Sequence, residues 1–96
     1  MAAIDMKRNH GLGIDTARQR AEELAKDLER KLGINWRWEG DTIRFKGDSG
    51  TAKGVTGNVA VTSSDVRVEI DLPFLLKAMK GTIQSKVEDK LNKLVS

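Results

Sequence analysis

The stretch INWRWEGDTIRFKG (residues 34–47) decides the fold, because the hydrophobic period changes there from helical to alternating. Ile34, Trp36 and Trp38 share one parity, and Ile43 and Phe45 continue it beyond the turn residues Gly40 and Asp41. Alternation over such a run marks a half-buried strand, and a short glycine-containing break between two such runs marks a hairpin. A two-residue loop at 40–41 sets Trp38 opposite Ile43 and Trp36 opposite Phe45, all on one face. The same register brings Arg37 opposite Arg44 on the other face, with Asn35, Glu39 and Lys46 nearby. Like charges facing each other across strands are mildly unfavourable. Glu69 and Asp71, of outward parity on a later strand, are expected to neutralise them. An anion or carboxylate site on that open face is the alternative.

Upstream of the hairpin, Ala17, Ala21, Leu24, Ala25, Leu28 and Leu32 recur at three- and four-residue spacing, the apolar stripe of a helix. Its small alanines imply close approach to whatever the helix covers. Thr16 with Gln19 fits a capping box, Asp15 could equally cap, and Gly33 is a natural stop. Glu22 with Lys26 and Asp27 with Lys31 form charge pairs one turn apart. Before this helix, Ile4 and Met6 alternate with charged residues as a short strand, broken by NHGLG (9–13).

Downstream, GDSG (47–50) reads as a turn, and residues 51–62 as a weak strand with Val55, Val59 and Val61 in phase. Val66, Val68, Ile70 and Leu72 mark the cleanest strand. Pro73 then opens a helix with Leu76, Met79, Ile83, Val87, Leu91 and Leu94 on one stripe, which Gly81 is expected to bend or split. The expected fold is α+β, one domain over residues 1–96 in the order β-α-β-β-β-β-α. An antiparallel curved sheet packs against two helices, in a reduced helix-grip-like arrangement.

Composition narrows the chemistry. Without cysteine there is no disulfide scaffold or thiolate metal site, and the one histidine, His10, leaves an all-protein zinc site short of nitrogen ligands. No apolar run approaches the roughly 20 residues of a membrane span, and the charged start lacks a signal-peptide pattern. A cytoplasmic setting is therefore expected. GDSG is similar to the nucleophile segment of chymotrypsin-like proteases, but the chain is too short for that fold. Gly11 and Gly13 lack the rest of a phosphate-loop fingerprint. His10 has no fixed carboxylate or nucleophile partner and reads as a backbone or helix-entry contact. No catalytic residue, cofactor or metal site is expected, and the protein is expected not to be an enzyme.

Net charge is +3, all of it carried by residues 74–96, where five lysines face Glu88 and Asp89. This bias is too mild for a specific nucleic-acid binder. Lys86, Lys90 and Lys93 form a row beside the apolar stripe, a candidate contact for an anionic surface. Leu75, Leu76 and Met79 at the start of the helix are candidate apolar contacts. Trp36, Trp38 and Phe45 read first as core. With Met79 and Ile83 they would also line a cavity between the sheet and the last helix, suited to a hydroxyacyl or other apolar ligand. An uncovered edge strand would let two chains pair as a homodimer.

Two long stretches, RNHGLGIDTARQRAEELAKDLERKLGINWRWEGDTIRFKG (8–47) and VRVEIDLPFLLKAMKGTIQSKVEDKL (66–91), resemble the polyhydroxyalkanoic acid system family of small bacterial proteins. The resemblance rests on His10-x-Leu12, the arginine-alanine-glutamate helix, Trp-Glu-Gly-Asp at 38–41, and Leu-Pro-Phe-Leu-Leu with Lys-Gly-x-Ile over 72–83. Residues 48–65 carry little of it. It implies a cytoplasmic protein associated with polyhydroxyalkanoate storage granules, with the granule or its coat proteins as partners and no defined catalytic residues.

Overall fold

A computed structural model describes residues 3–48, 50 and 53–95, and of Leu75 the backbone alone. Along the chain run β1 (Ile4–Asn9), α1 (Ile14–Leu32), β2 (Asn35–Glu39), β3 (Thr42–Lys46), β4 (Thr56–Val61) and β5 (Asp65–Asp71). A 3-10 helix (Phe74–Met79) and α2 (Lys80–Val95) follow. The five strands form one antiparallel sheet in the order β1-β5-β4-β3-β2. The expected α+β order is the one that forms. Since neighbours alternate in direction, β1 and β2 run parallel at opposite edges, and α1 is the crossover between them.

The hairpin register is as the alternation dictates: Trp38 pairs with Ile43, Arg37 with Arg44 and Trp36 with Phe45. Gly40 alone in that loop has positive φ, at 61°, the signature of a type II′ turn. Ile4, Met6, Ile43, Phe45, Val59, Val61, Val66, Val68 and Ile70 are buried on the helical face. Ala17, Ala21 and Ala25 are at most 1% exposed, so α1 sits close on the sheet as its small side chains predict. It contacts β2, β3 and β4, whereas α2 lies along β1 and against α1 through Val87, Leu91 and Leu94.

Several boundaries differ from expectation. Neither Asp15 nor Thr16 caps α1; the cap is Gly13, at φ 79° and ψ 157°, and no side chain bonds there. Glycine reaches this conformation at little cost, so the chain turns into the helix before the first polar cap candidate. The Gly13 carbonyl accepts from the Ala17 amide at 3.0 Å. At the other end Gly33 is left-handed and donates to the Glu29 carbonyl at 2.9 Å, the stop its identity implies. β4 begins only at Thr56, because Lys53 and Gly54 turn and Val55 bonds Gly47 through its carbonyl. Of the expected strand and turn, Thr51, Ala52 and Ser49 lie outside the described residues. The last helix changes from 3-10 to α between Met79 and Lys80, one residue ahead of Gly81.

Gly57 is the tightest point of the sheet. A Cβ there would lie 2.5 Å from Phe45 Cζ and 2.6 Å from the Glu69 carbonyl oxygen. The Phe45 ring covers the space that a side chain on β4 would fill, and the backbone oxygen cannot move aside without disturbing the β4–β5 ladder. Gly57→Ala is therefore expected to destabilise the protein by about 1–3 kcal/mol in chemical denaturation, the range for overpacking. A variant as stable as the parent would contradict this packing.

Candidate functional site

The tryptophans are half-buried and packed against the core. Trp38 is held between two residues one turn apart on α1. Its indole N–H donates to Glu22 Oε1 at 2.9 Å, and the Arg18 guanidinium lies 4.5 Å from its ring centroid. Arg18 also pairs with Asp41 of the hairpin turn at 2.5 Å. The aromatic hairpin is thus an anchor for α1. Of the five candidate ligand-lining residues, Trp36, Trp38 and Phe45 gather on β2–β3, while Met79 ends the 3-10 helix and Ile83 lies at the start of α2, which runs along the opposite edge strand. The structure does not bring the two sets together.

The open face of the sheet holds a cleft of about 430 Å³. Arg37, Arg44, Lys46, Asn35 and Asn58 supply donors around it, and Asp71 closes one side. Trp36, Phe45 and Gly57, of the opposite parity, also line it. The expected neutralisation by Glu69 and Asp71 does not occur. Glu39 instead accepts both Arg44, at 3.0 Å, and Arg37, at 3.4 Å, because it neighbours them on β2 and across the turn. Glu69 is engaged by Arg67, which grips Asp5 at 2.7 and 3.0 Å. That bond holds the Asp5 carboxyl below its ordinary value and raises Arg67. Lys46 pairs with Asp48 at 3.8 Å, and the Asn35 side-chain amide donates to the same carboxylate at 2.6 Å. Each cation of the cleft therefore has a carboxylate partner, and only the two guanidiniums that share Glu39 have donors suited to a further anion.

A second groove, between the helices, is lined by Arg20, Arg30, Lys90 and Lys93 with Glu23 and Asp27. Lys90 is ion-paired with Asp27 and mostly covered, so it does not project as a free surface contact. Asp27 also holds Arg30 at 3.2 Å and Lys31 at 3.6 Å. Lys93 lines the same groove, and Lys86 is exposed. Two of the three lysines, Lys90 and Lys93, thus face the seam with α1.

His10 is buried, with Nε2 2.9 Å from the Thr62 carbonyl, while the Leu12 amide donates to Nδ1 at 3.3 Å. Nε2 joins the β1–α1 connection to the loop before β5, and Nδ1 closes a turn within that connection, the backbone role its setting suggests.

The apolar contact candidates behave differently from one another. Leu76 packs half-buried on the core, Met79 is exposed, and the side chain of Leu75 lies outside the described residues. The most exposed large apolar residue described is Phe74, at 84%. Its only sequence signal is a position off the apolar stripe of the last helix. The sequence pairs Asp27 only with Lys31 and leaves Glu39 without an assigned partner, because Lys90 is distant in sequence and Glu39 is shared by two arginines.

The Trp38 hydrogen bond, helped by Lys26 and Arg18 and opposed by partial desolvation, holds Glu22 below the ordinary glutamate value of 4.5. A carboxyl lowered in the folded state stabilises fully above its ordinary value and loses that contribution as pH falls through the folded value. Tryptophan emission is therefore expected to change below about pH 4.5 as Glu22 lets go of the indole, and Glu22→Gln should remove that step. A step that persists unchanged in Glu22→Gln would show that another group controls Trp38.

Comparison with curated proteins and with solved structures returned no match. Over residues 4–95 the chain matches the model of a family described as "Putative polyhydroxyalkanoic acid system protein". The match includes the segment 48–65, where resemblance is weakest to the eye. The chain belongs to the polyhydroxyalkanoic acid system protein family.

Proposed function

We propose that this protein is a non-enzymatic component of a polyhydroxyalkanoate system, acting in the cytoplasm at the surface of storage granules through residues 73–80. The observation that carries the reading is the exposed 3-10 helix after Pro73. Phe74 is 84% and Met79 51% exposed, with Lys77 and Lys80 exposed between and beside them. At three residues per turn Phe74, Lys77 and Lys80 stack on one side. Apolar rings and thioethers that a core would bury, set among lysines, suit a boundary where polyester meets an anionic aqueous layer. Among the described residues no helix is long and apolar enough to cross a membrane. Family membership supplies the polyhydroxyalkanoate context, and the segment supplies a means of contact.

Transfer of a Phe or Met side chain from water is worth about 1.5–3 kcal/mol, so either one contributes roughly tenfold or more in partitioning. The intact protein is expected to co-sediment with protein-free polyhydroxybutyrate particles in preference to triglyceride droplets. Phe74→Ser and Met79→Ser should each cut the bound fraction several-fold while leaving thermal stability unchanged, since both side chains are exposed. Equal sedimentation of parent and double variant would sink the segment's role, and no sedimentation of the parent would sink direct contact.

A further inference from the structure

The open face of the sheet carries charge in an antisymmetric pattern about its central strand. Read across the strands from β1 to β2, one row is Asp5, Glu69, Asn58, Arg44, Arg37. The next is Lys7, Arg67, Ala60, Thr42, Glu39, and on the other side Asp71, Thr56, Lys46, Asn35 follow the same order from β5. Each ion on one flank has an opposite ion or a neutral residue at the mirror position, and none has a like charge. β4, in the middle, presents only Thr56, Asn58 and Ala60.

We infer that two copies of this chain associate face to face through the open sheet, about a two-fold axis running along β4. Such an axis reverses the strand order and keeps the rows level. Arg44 of one protomer then meets Glu69 of its partner, Arg37 meets Asp5, Lys46 meets Asp71, and Glu39 meets Lys7. Asn58 and Ala60 meet their own copies, where small uncharged side chains cost nothing in repulsion. An interface that uses the same patch twice must be self-complementary, and this one is, position by position. An axis perpendicular to the strands would set acid against acid along the same rows. Twisted sheets pack about 30° apart, so the outer strands slide out of line more than the inner ones. Arg44 with Glu69, on the strands flanking β4, is therefore the determining pair.

Within one chain Arg44 is held by Glu39, Lys46 by Asp48 and Glu69 by Arg67, so this arrangement adds a second counter-ion to each: Glu69 and Asp71 of the second copy reach Arg44 and Lys46. With strands about 4.8 Å apart and residues about 3.4 Å apart, the face spans on the order of 400 Å² in projection. A standard interface buries about 800 Å² per partner, so the dimer is weak and governed by charge. The axis also leaves both 3-10 helices at the same end of the dimer, because each follows the same end of β5.

The test is sedimentation equilibrium of the intact chain from about 1 µM to 1 mM, at about 0.01 M and 1 M ionic strength, where screening lengths are about 30 Å and 3 Å. Self-association at low salt that is lost at high salt is expected. Arg44→Glu or Glu69→Arg alone should weaken it at least tenfold, and the two together should restore it. Circular dichroism checks that each variant folds. A monomer under all conditions overturns the dimer, as does association that ignores both single reversals, which would indicate edge-strand pairing. A double variant no better than either single overturns the assigned axis. Acetate binding at Arg44 by a chain that stays monomeric would give the cleft to a small anion and overturn the dimer.

Discussion

The close approach of α1 to the sheet is the constraint on which the rest depends. The helix must carry the chain from one edge strand to the other, with three strands between, and it can do so only by lying flat across them. Ala17, Ala21 and Ala25 remove the side-chain bulk that would hold it off. Its angle is then fixed by Arg18 and Glu22, which grip Trp38 from adjacent turns, and by Arg18 reaching Asp41. With α1 fixed over β2–β4, the face left over β1 is the one α2 fills. The opposite face of the sheet remains without a covering helix, and its surface must be polar. That consequence places the charged rows where they are.

Much of this was legible in the sequence, for reasons that are local. Strict alternation through Trp36, Trp38, Ile43 and Phe45, with a Gly-Asp break, determines a register because a slip of one residue would turn the apolar set outward. Gly33 announces its stop, and the pairs Glu22–Lys26 and Asp27–Lys31 form at 3.5 and 3.6 Å as helical spacing requires. What was not legible depends on contacts between distant segments. That Asp27 would draw Lys90 into the helix seam follows from how α2 lies on α1, which no window of the sequence contains. That Glu39 would serve both arginines follows from competition, since Arg67 had already engaged Glu69 through the β1–β5 pairing. The tryptophans, read as core, proved half-buried because β2 is an edge strand.

The same logic separates the two kinds of surface on the molecule. The sheet face is charged in an ordered way and answers to another ordered surface. The 3-10 helix is short, apolar and flanked by lysines, and suits a disordered, water-poor boundary such as polyester with its coat. Leu76, half-buried against the core, ties down the base of that segment, so that Phe74 and Met79 project from a packed element rather than from a free tail. A contact built this way costs little ordering on binding.

Because the chain has no cysteine, one introduced thiol can report its own surroundings. The most direct measurement places an environment-sensitive fluorophore at Lys77→Cys, and in a separate protein at Glu29→Cys on the exposed side of α1, and adds polyhydroxybutyrate particles. If the 3-10 helix is the contact, emission from position 77 shifts to the blue and becomes shielded from aqueous quenchers, while position 29 is unchanged. Equal shifts at both positions, or a shift at 29 alone, would contradict contact through that segment.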